Sequence, residues 1–525
     1  MSRRLRKLTS VFLAVSAACI LFSGCAGNKD GSQASPSPEV SGGEAGEFVL
    51  SLPFDPADPL NPLTGTNRIN LTLGPLLYEG FFQLDRSFSP VPLLCESYTT
   101  LDNITFRFTL RTGVTFSGGS LLTAADAVYS LEQARTSSLY SERLSKVQSV
   151  KAEGELTVIV TLNTADSAFP VLLDIPIIQN GTAGSSAPPG TGPYVLSSGD
   201  GESLVLRSDW WQGLPMPFDR IGLVEVRGSD LLIQDLGSNL IQLVSTDLTG
   251  TDAPMFSGNY DVTEYPTTIL QYIGFNAEVS SVFSNAAVRR AFGLGIDRDF
   301  IVTGLLSGHA QASALPVNPA SPLYDSTLAE KYSYSEEAMF SALAEAGYTD
   351  SDEDGVLDAN SGGREAAISA TLLVNSESSF KVSMAEHIAA SFSQYGIAIE
   401  VKKLAWEDYL TALEKGDFDL YLGEVKLTTD FNLTSLAATG GALNYGKFSD
   451  TKLDGLFASL AAAPYQNRGT IAAALYSTFC QQAPFIPICF KNQSMLTREG
   501  AYSGLEPTQQ NVFYNLSAWT QGTSS

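Results

Sequence analysis

The stretch whose residue types and spacing point most directly to chemistry is "DSDEDGVLD", Asp350 to Asp358. Asp350, Asp352 and Asp354 alternate, Gly355 turns the chain, and Asp358 follows. Calcium loops use this spacing to aim oxygens at one point. The bidentate Glu that closes such a loop at its twelfth position is missing, and Ser361 stands there. A solvated acidic turn between a helix and a strand accounts for the same residues and is favoured, so no metal is expected. The chain has two histidines, His309 and His387, in no catalytic pattern. It has no G-x-S-x-G elbow, no H-E-x-x-H and no phosphate loop. An enzyme is therefore not expected: no catalytic residue and no cofactor follows from these motifs. Cys95, Cys480 and Cys489 have no partner CxxC and do not make a zinc site. Cys480 and Cys489 flank "QQAPFIPI"; a disulfide and two small buried thiols are both open for them.

The elements that would position such residues alternate between strand and helix, which argues for α/β lobes. Ile104, Phe106, Phe108 and Leu110 alternate with Thr105, Arg107, Thr109 and Arg111, the period-two pattern of a strand with one buried face. Gly118-Gly119 breaks it, and Thr123 with Asp126 is a capping-box variant that starts a helix near Ala124. Ala127, Val128, Leu131 and Ala134 form its apolar stripe. Further strands are expected at Phe48–Leu50, Leu204–Arg207, Ile221–Arg227, Tyr272–Phe275 and Phe418–Leu422, with another in "IAIEV". Helices are expected at Ala286–Ile296, at Phe300–Leu306 capped by Asp297, at Met384–Gln394 and at Tyr409–Glu414. Gly293 and Gly295 inside the first of these cost about 1 kcal/mol each relative to Ala, so close packing is expected there.

At 525 residues the chain is too long for one core, and 44% hydrophobic with 10% aromatic residues suits a globular protein. Its net charge of −25 opposes nucleic-acid binding, since it would repel phosphates. Arg3, Arg4, Arg6 and Lys7 precede an apolar run from Val11 to Phe22 and then Ser23-Gly24-Cys25, the layout of a secretory signal over residues 1–24. The run is too short for a comfortable membrane span. The small residues before Cys25 resemble the bacterial lipoprotein box, with Phe22 where Leu is usual. That resemblance implies lipidation at Cys25 and a body held at the outer face of the cell membrane, in the periplasm where there is an outer membrane. Gly, Ser, Pro and acidic residues over 25–46 form a flexible tether with a reach of roughly 25 Å.

Several stretches taken together carry a further resemblance. They are "LLYEGFFQLD", "ITFRFTLRTGVTFSGG" with "LLTAADAVYSLEQA", "PPGTGPYVL", "YIGFNAE", "NAAVRRAFGLGIDRDFIV", "GIAIEVKKLAWEDYLTALEKGDFDLYLG" and "APFIPI". In this order and spacing, from about Phe48 to the end, the chain resembles the extracellular solute-binding proteins of family 5, the peptide- and nickel-type receptors of ABC importers. The resemblance implies an α/β, two-lobed periplasmic-binding-protein-like clamp (class II, cluster C) with an accessory third subdomain. Lobe I is expected over 47–70, 185–275 and 484–525, the accessory subdomain over 71–184, and lobe II over 276–483. The chain would cross between lobes near Phe275 and near Pro484. The implied function is capture of a peptide-like solute in the interlobe cleft by hinge closure, then delivery to the membrane permease and its ATPase. The implied partners are therefore the solute, those subunits and the membrane, with the protein itself a monomer. In relatives the strand matching Phe418–Leu422 leads to Gly-Trp and then to an Asp that meets the ligand amine. Here Gly423 matches, Glu424 replaces the Trp, and Asp430 is displaced by a few residues. Glu424 or Asp430 is expected as amine partner, with Lys426 for a ligand carboxylate. Asn444 and Tyr445 are expected to line the cleft, and Tyr272 and Asn276 complete the ligand-contact set. Salt-bridged surface roles are the alternative for the charged residues. The same fold holding an oligosaccharide or another small solute, or a signalling or adhesion lipoprotein, is the alternative function.

Overall fold

The computed structural model describes residues 49–197, 202–249, 255–278, 281–351, 353–361 and 364–522. The signal, the tether and Cys25 lie outside these residues, as does Asp352. Among the described residues no helix is long and apolar enough to cross a membrane.

Three sheets organise the body. The first has four strands in the order Ser51–Phe54, Arg220–Glu225, Ser203–Leu206, Tyr194–Leu196, the first pair parallel and the rest antiparallel. Its first strand starts three residues later than expected, because Leu50, Leu52 and Phe54 form the alternating buried set. The second is antiparallel, in the order Cys95–Thr100, Thr105–Leu110, Thr157–Leu162, Val147–Glu153. Phe106 and Phe108 point inward from it as expected, and their rings stack at 5.9 Å. The Ala124–Ala134 helix also begins as expected. Asp126 accepts from Thr123 N at 2.9 Å and Thr123 Oγ1 at 2.6 Å, and its second oxygen takes Asn180 N at 2.8 Å. Both sheets drain into one core, where Leu52, Leu76, Phe106, Phe108 and Tyr194 are buried together.

The third sheet joins that core to two others. Its order is Leu243–Thr246, Phe485–Arg498, Tyr260–Phe275, Leu420–Lys426, Ser369–Asn375, Ala398–Leu404, with Ala310–Ala312 also paired to Phe485–Arg498. Tyr260–Phe275 and Phe485–Arg498 run antiparallel for almost their whole length. At one end Tyr265 and Met495 reach the first core. At the other, Ile273, Phe275, Ile486 and Ile488 pack with Phe292, Met384 and Phe392, while Tyr272, Phe485 and Phe490 face a third core with Tyr476 and Phe479. The sequence pattern predicted only Tyr272–Phe275 of the first long strand. Pro266 is the reason: it has no N–H for the ladder, and the register shifts between Pro266 and Leu270. Side chains bridge the gap. Thr267 Oγ1 donates to Lys491 O at 2.5 Å, Asn318 Nδ2 to Thr267 O at 2.8 Å, and Thr268 Oγ1 to Leu427 O at 2.7 Å.

The expected helices are present with shifted ends: Ala286–Leu294, Ser379–Gln394 and Trp406–Lys415. Asp297 caps as expected, accepting from Phe300 N at 2.9 Å, but after Phe300 the chain continues as a π-helix over Ile301–Leu305. Gly293 and Gly295 are close-packed: a Cβ would meet Ile486 at the first, and Met339 and Phe392 at the second.

Two glycines on paired strands have a reciprocal role. Tyr272 sits opposite Gly423, and Gly274 opposite Tyr421. Each tyrosine ring lies where the partner glycine's Cβ would be, and the two rings meet edge to face at 5.7 Å. Gly274→Val and Gly423→Val are each expected to lower stability by about 1–3 kcal/mol through overpacking. Urea denaturation checks this; a midpoint equal to wild type in both variants contradicts the packing argument.

Candidate ligand-binding cavity

A cavity of about 640 Å³ lies between the first core and the Leu420–Lys426 strand. That volume falls in the usual range for small-molecule sites. One wall comes from the 59–62 loop and the Arg68–Leu77 helix, another from 138–143, a third from 210–216, and the far side from Lys426–Thr429 and the 509–517 tail. Amide side chains dominate its polar lining, including Asn61, Gln83, Gln212, Gln509 and Gln510. The Gln510 side-chain oxygen is buried there without a partner among the described residues. Amides both donate and accept, the pattern a main-chain ligand requires.

Lys426 lines this cavity and its side chain is exposed, with no carboxylate partner among the described residues. Partial burial, then the charges of Arg143 and Arg68, lower its ammonium pKa. Arg143 itself is anchored: Nη2 donates to Leu172 O at 2.7 Å, Asp174 pairs with it, and its guanidinium lies 5.6 Å over Tyr140, while its Nε is buried without a hydrogen-bond partner among the described residues. Burial pushes Arg143 down to about 10.

Lys426 is the one member of the expected contact set that lines the cavity. Glu424 stands opposite Gln271, accepts its Nε2 at 2.6 Å, and lies 3.4 Å from Lys381 and 3.9 Å from Lys491. Lys491 is held in turn by Asp247 at 2.6 Å. Glu424 is thus tied into an ion-pair cluster on the sheet face. Asp430 accepts from Thr428 Oγ1 at 2.5 Å, and burial together with Asp166 raises its pKa. Asn444 closes its own loop, donating to Ala438 O and Phe448 O and accepting from Phe448 N. Tyr445 packs edge-on to Tyr421, and Tyr272 is buried in the third core. Asn276 Nδ2 donates to Phe418 O at 3.1 Å. The acidic turn uses its carboxylates on its own backbone: Asp350 accepts from Asp354 N and Gly355 N, and Asp354 from Val356 N. Asp358 is buried in the strand Asp358–Ser361. Among the described residues, Cys95, Cys480 and Cys489 are free, buried thiols.

The sequence-level contact set missed the group at the heart of the cavity wall, Glu79 of "LLYEGFF". Trp211 Nε1 donates to Glu79 Oε2 at 2.7 Å, while Trp210 Nε1 and Gln212 Nε2 donate to Oε1 at 3.3 and 3.2 Å. Burial drives the carboxyl up to about 7, against the opposing pull of these donors, Trp211 first. Three of the quoted motifs meet here. Gly192 N donates to Leu77 O at 3.0 Å, Ser117 N to Gly190 O at 2.8 Å, and Ile177 N to Glu79 O at 2.9 Å. A Cβ on Gly190 or Gly192 would strike the Leu77 backbone, and one on Gly80 the backbone of Asp174 and Ile175. The glycines of "YEG" and "GTG" are therefore a consequence of backbone-to-backbone packing around Glu79. The signal was in those glycines, but neither motif alone says which partner it touches.

Comparison with known proteins agrees with this architecture. Residues 89–444 match the model of the bacterial extracellular solute-binding proteins, family 5 Middle. The chain belongs to that family, whose members serve ABC transporters and which is not an enzyme family. Over 547 aligned residues it is 22% identical to the oligopeptide-binding protein AppA of Bacillus subtilis (strain 168), covering 98% of this chain and 99% of that protein. The unliganded open form of the periplasmic murein tripeptide-binding protein MppA superposes with a TM-score of 0.76 at 18% identity, over 91% of this chain and 98% of that one. A nickel ABC transporter protein from Bacillus halodurans gives 0.74 at 20% identity, over 89% and 98%. The fold is thus the α/β, two-lobed periplasmic-binding-protein architecture.

The titration of Glu79 has a sign that can be measured. Its folded pKa, about 7, lies above the ordinary carboxyl value of 4.5, so the folded state holds the proton more tightly. Stability is then unaffected by this group below pH 4.5 and falls as pH rises toward 7, by about 3 kcal/mol in full. Glu79→Gln removes that slope. Denaturation of both proteins from pH 4 to 8 checks it; parallel profiles would contradict a carboxyl whose burial outweighs its hydrogen bonds.

Proposed function

We propose that this protein is the receptor of an ABC importer and captures a peptide-like solute in the 640 Å³ cavity, for delivery to the permease and ATPase. One observation carries the reading: an amide-lined cavity that holds an unpartnered ammonium, Lys426, and an unpartnered acceptor, Gln510. Lys426 takes a ligand carboxylate and Gln510 a ligand N–H. Glu142, exposed at the rim, is a carboxylate within reach of a ligand amine. The family and the oligopeptide-binding relative support a peptide over other solutes. Closure of a lobe formed by 276–483 onto 47–70, 185–275 and 484–525, with 71–184 accessory, buries the ligand; the long strand pair and its interruption at Pro266 support a bend there. Cys25 carries the lipid and 25–46 the tether, which places the body outside the cytoplasm; the support is the residue pattern of the N-terminus. The protein works as a monomer and without catalysis.

A random-sequence pool of nonapeptides is expected to raise the melting temperature, since a ligand at one hundred times its Kd adds about 2.7 kcal/mol to native stability. Lys426→Met should weaken binding about tenfold or more, and amidation of the peptide C-terminus should cost wild type the same and Lys426→Met nothing further. A shift with oligosaccharides alone moves the substrate class. Equal binding of free-acid and amidated peptides contradicts the role of Lys426.

A further inference from the structure

Between Trp210 and Phe218 the chain "WWQGLPMPF" has no regular secondary structure. A single backbone hydrogen bond forms within it among the described residues, Gly213 N to Trp210 O at 3.0 Å. Yet Trp210, Gln212, Leu214 and Met216 line the ligand cavity, and Leu214 is 46% exposed. Proline at 215 and 217 removes two donors that a ladder would use. What holds this wall in place is the convergence of three side-chain donors from three consecutive residues on one carboxylate, Glu79. On the other side, the Arg111 guanidinium lies 5.6 Å over the Trp211 ring.

We propose that Glu79 is a positioning residue for the cavity: its carboxylate holds the 210–216 loop as the apolar wall against which a ligand side chain packs, so ligand affinity depends on Glu79 through the loop it holds. The ligand readout rests on the peptide reading above. A carboxylate accepts hydrogen bonds more strongly than the neutral acid, and a protonated carboxyl turns one acceptor oxygen into a donor facing indole N–H groups that can only donate. Protonation of Glu79 therefore weakens the hydrogen bonds that hold the loop, although it relieves the desolvation that makes the ionised form costly to the fold as a whole. Apart from Arg111, the charges around the group are neutralised or neutral. Tyr78, next to it in the chain, is pushed up by burial and stays neutral. Asp174, on the segment packed behind it, is paired with Arg143. Arg207 and Asp209, beside the Trp210 end, pair with one another at 3.1 Å. Thr191 faces it from the 190–193 segment, and Arg111 stands beyond the Trp211 ring. The group that titrates near neutrality in this wall is Glu79.

The test uses the full protein, the random nonapeptide pool, and intrinsic tryptophan emission in a Trp406→Phe background, which removes an exposed indole outside the cavity. Wild type should bind the pool about tenfold more tightly at pH 8 than Glu79→Gln, and the two should converge at pH 5.5, where Glu79 is protonated. Without any ligand, emission from Trp210 and Trp211 should titrate near pH 7 in wild type and not in Glu79→Gln. Where Glu79→Gln fails to fold, Trp211→Phe serves: it should weaken binding at pH 8 and move the emission midpoint upward, because the 2.7 Å donor that favours the ionised form is gone. A binding difference that is the same at both pH values, or an emission titration that persists in Glu79→Gln, overturns the proposal. Failure of wild type to bind any peptide, with the emission titration present, overturns the peptide reading and leaves the positioning of the loop supported.

Discussion

The structure depends on one pair of antiparallel strands, Tyr260–Phe275 and Phe485–Arg498. Their pairing is the backbone connection along which the first core and the two others share a sheet. A continuous ladder of this length would be stiff. Pro266 breaks it, and the threonines at 267 and 268 replace missing ladder bonds with side-chain ones. The same point borders the ligand cavity: Thr268 lines it, and Gln509 Oε1 accepts from Thr268 N at 2.8 Å. A local interruption thus lies beside the cavity proposed for the ligand, at the point where the proposed clamp would bend.

Charge follows the same division. On the sheet face, Asp247, Lys491, Glu424 and Lys381 neutralise one another in a connected set, with Lys491 also 4.9 Å over the Phe380 ring. Lys491 is the buried member of this set, and a buried charge is costly to leave without its partner. Two residues further along the strand, Lys426 has no such partner among the described residues and lines the cavity. The strand Leu420–Lys426 therefore presents one charge to the fold and one to the cavity. In the opposite wall, burial is why Glu79 holds its proton so much more tightly than an ordinary carboxyl, against the opposing pull of the neutral donors it faces.

Much of the fold was legible in the residues. The Thr105–Leu110 strand, its capped helix and the crowded Gly293 and Gly295 follow from periodicity, capping and the glycine cost. The length of Tyr260–Phe275 was not, since a proline inside a strand reads as its end. Of the expected contact set, Lys426 alone lines the cavity. Glu424 and Asp430 have the right chemistry, but their partners Gln271 and Thr428 are set by register and by a bend, which local pattern does not encode. Glu79 was hidden for the opposite reason. It lies inside a motif whose glycines announce close packing, while its partners, from Ile177 to Gln212, are distant in the sequence.

Small-angle scattering of the protein, alone and saturated with a peptide that stabilises it, tests the central claim most directly. The account predicts a smaller radius of gyration in the bound state, as the two bodies joined by the long strand pair close on the cavity. An unchanged radius at saturation would contradict a clamp that bends at Pro266 and would leave the cavity a rigid pocket.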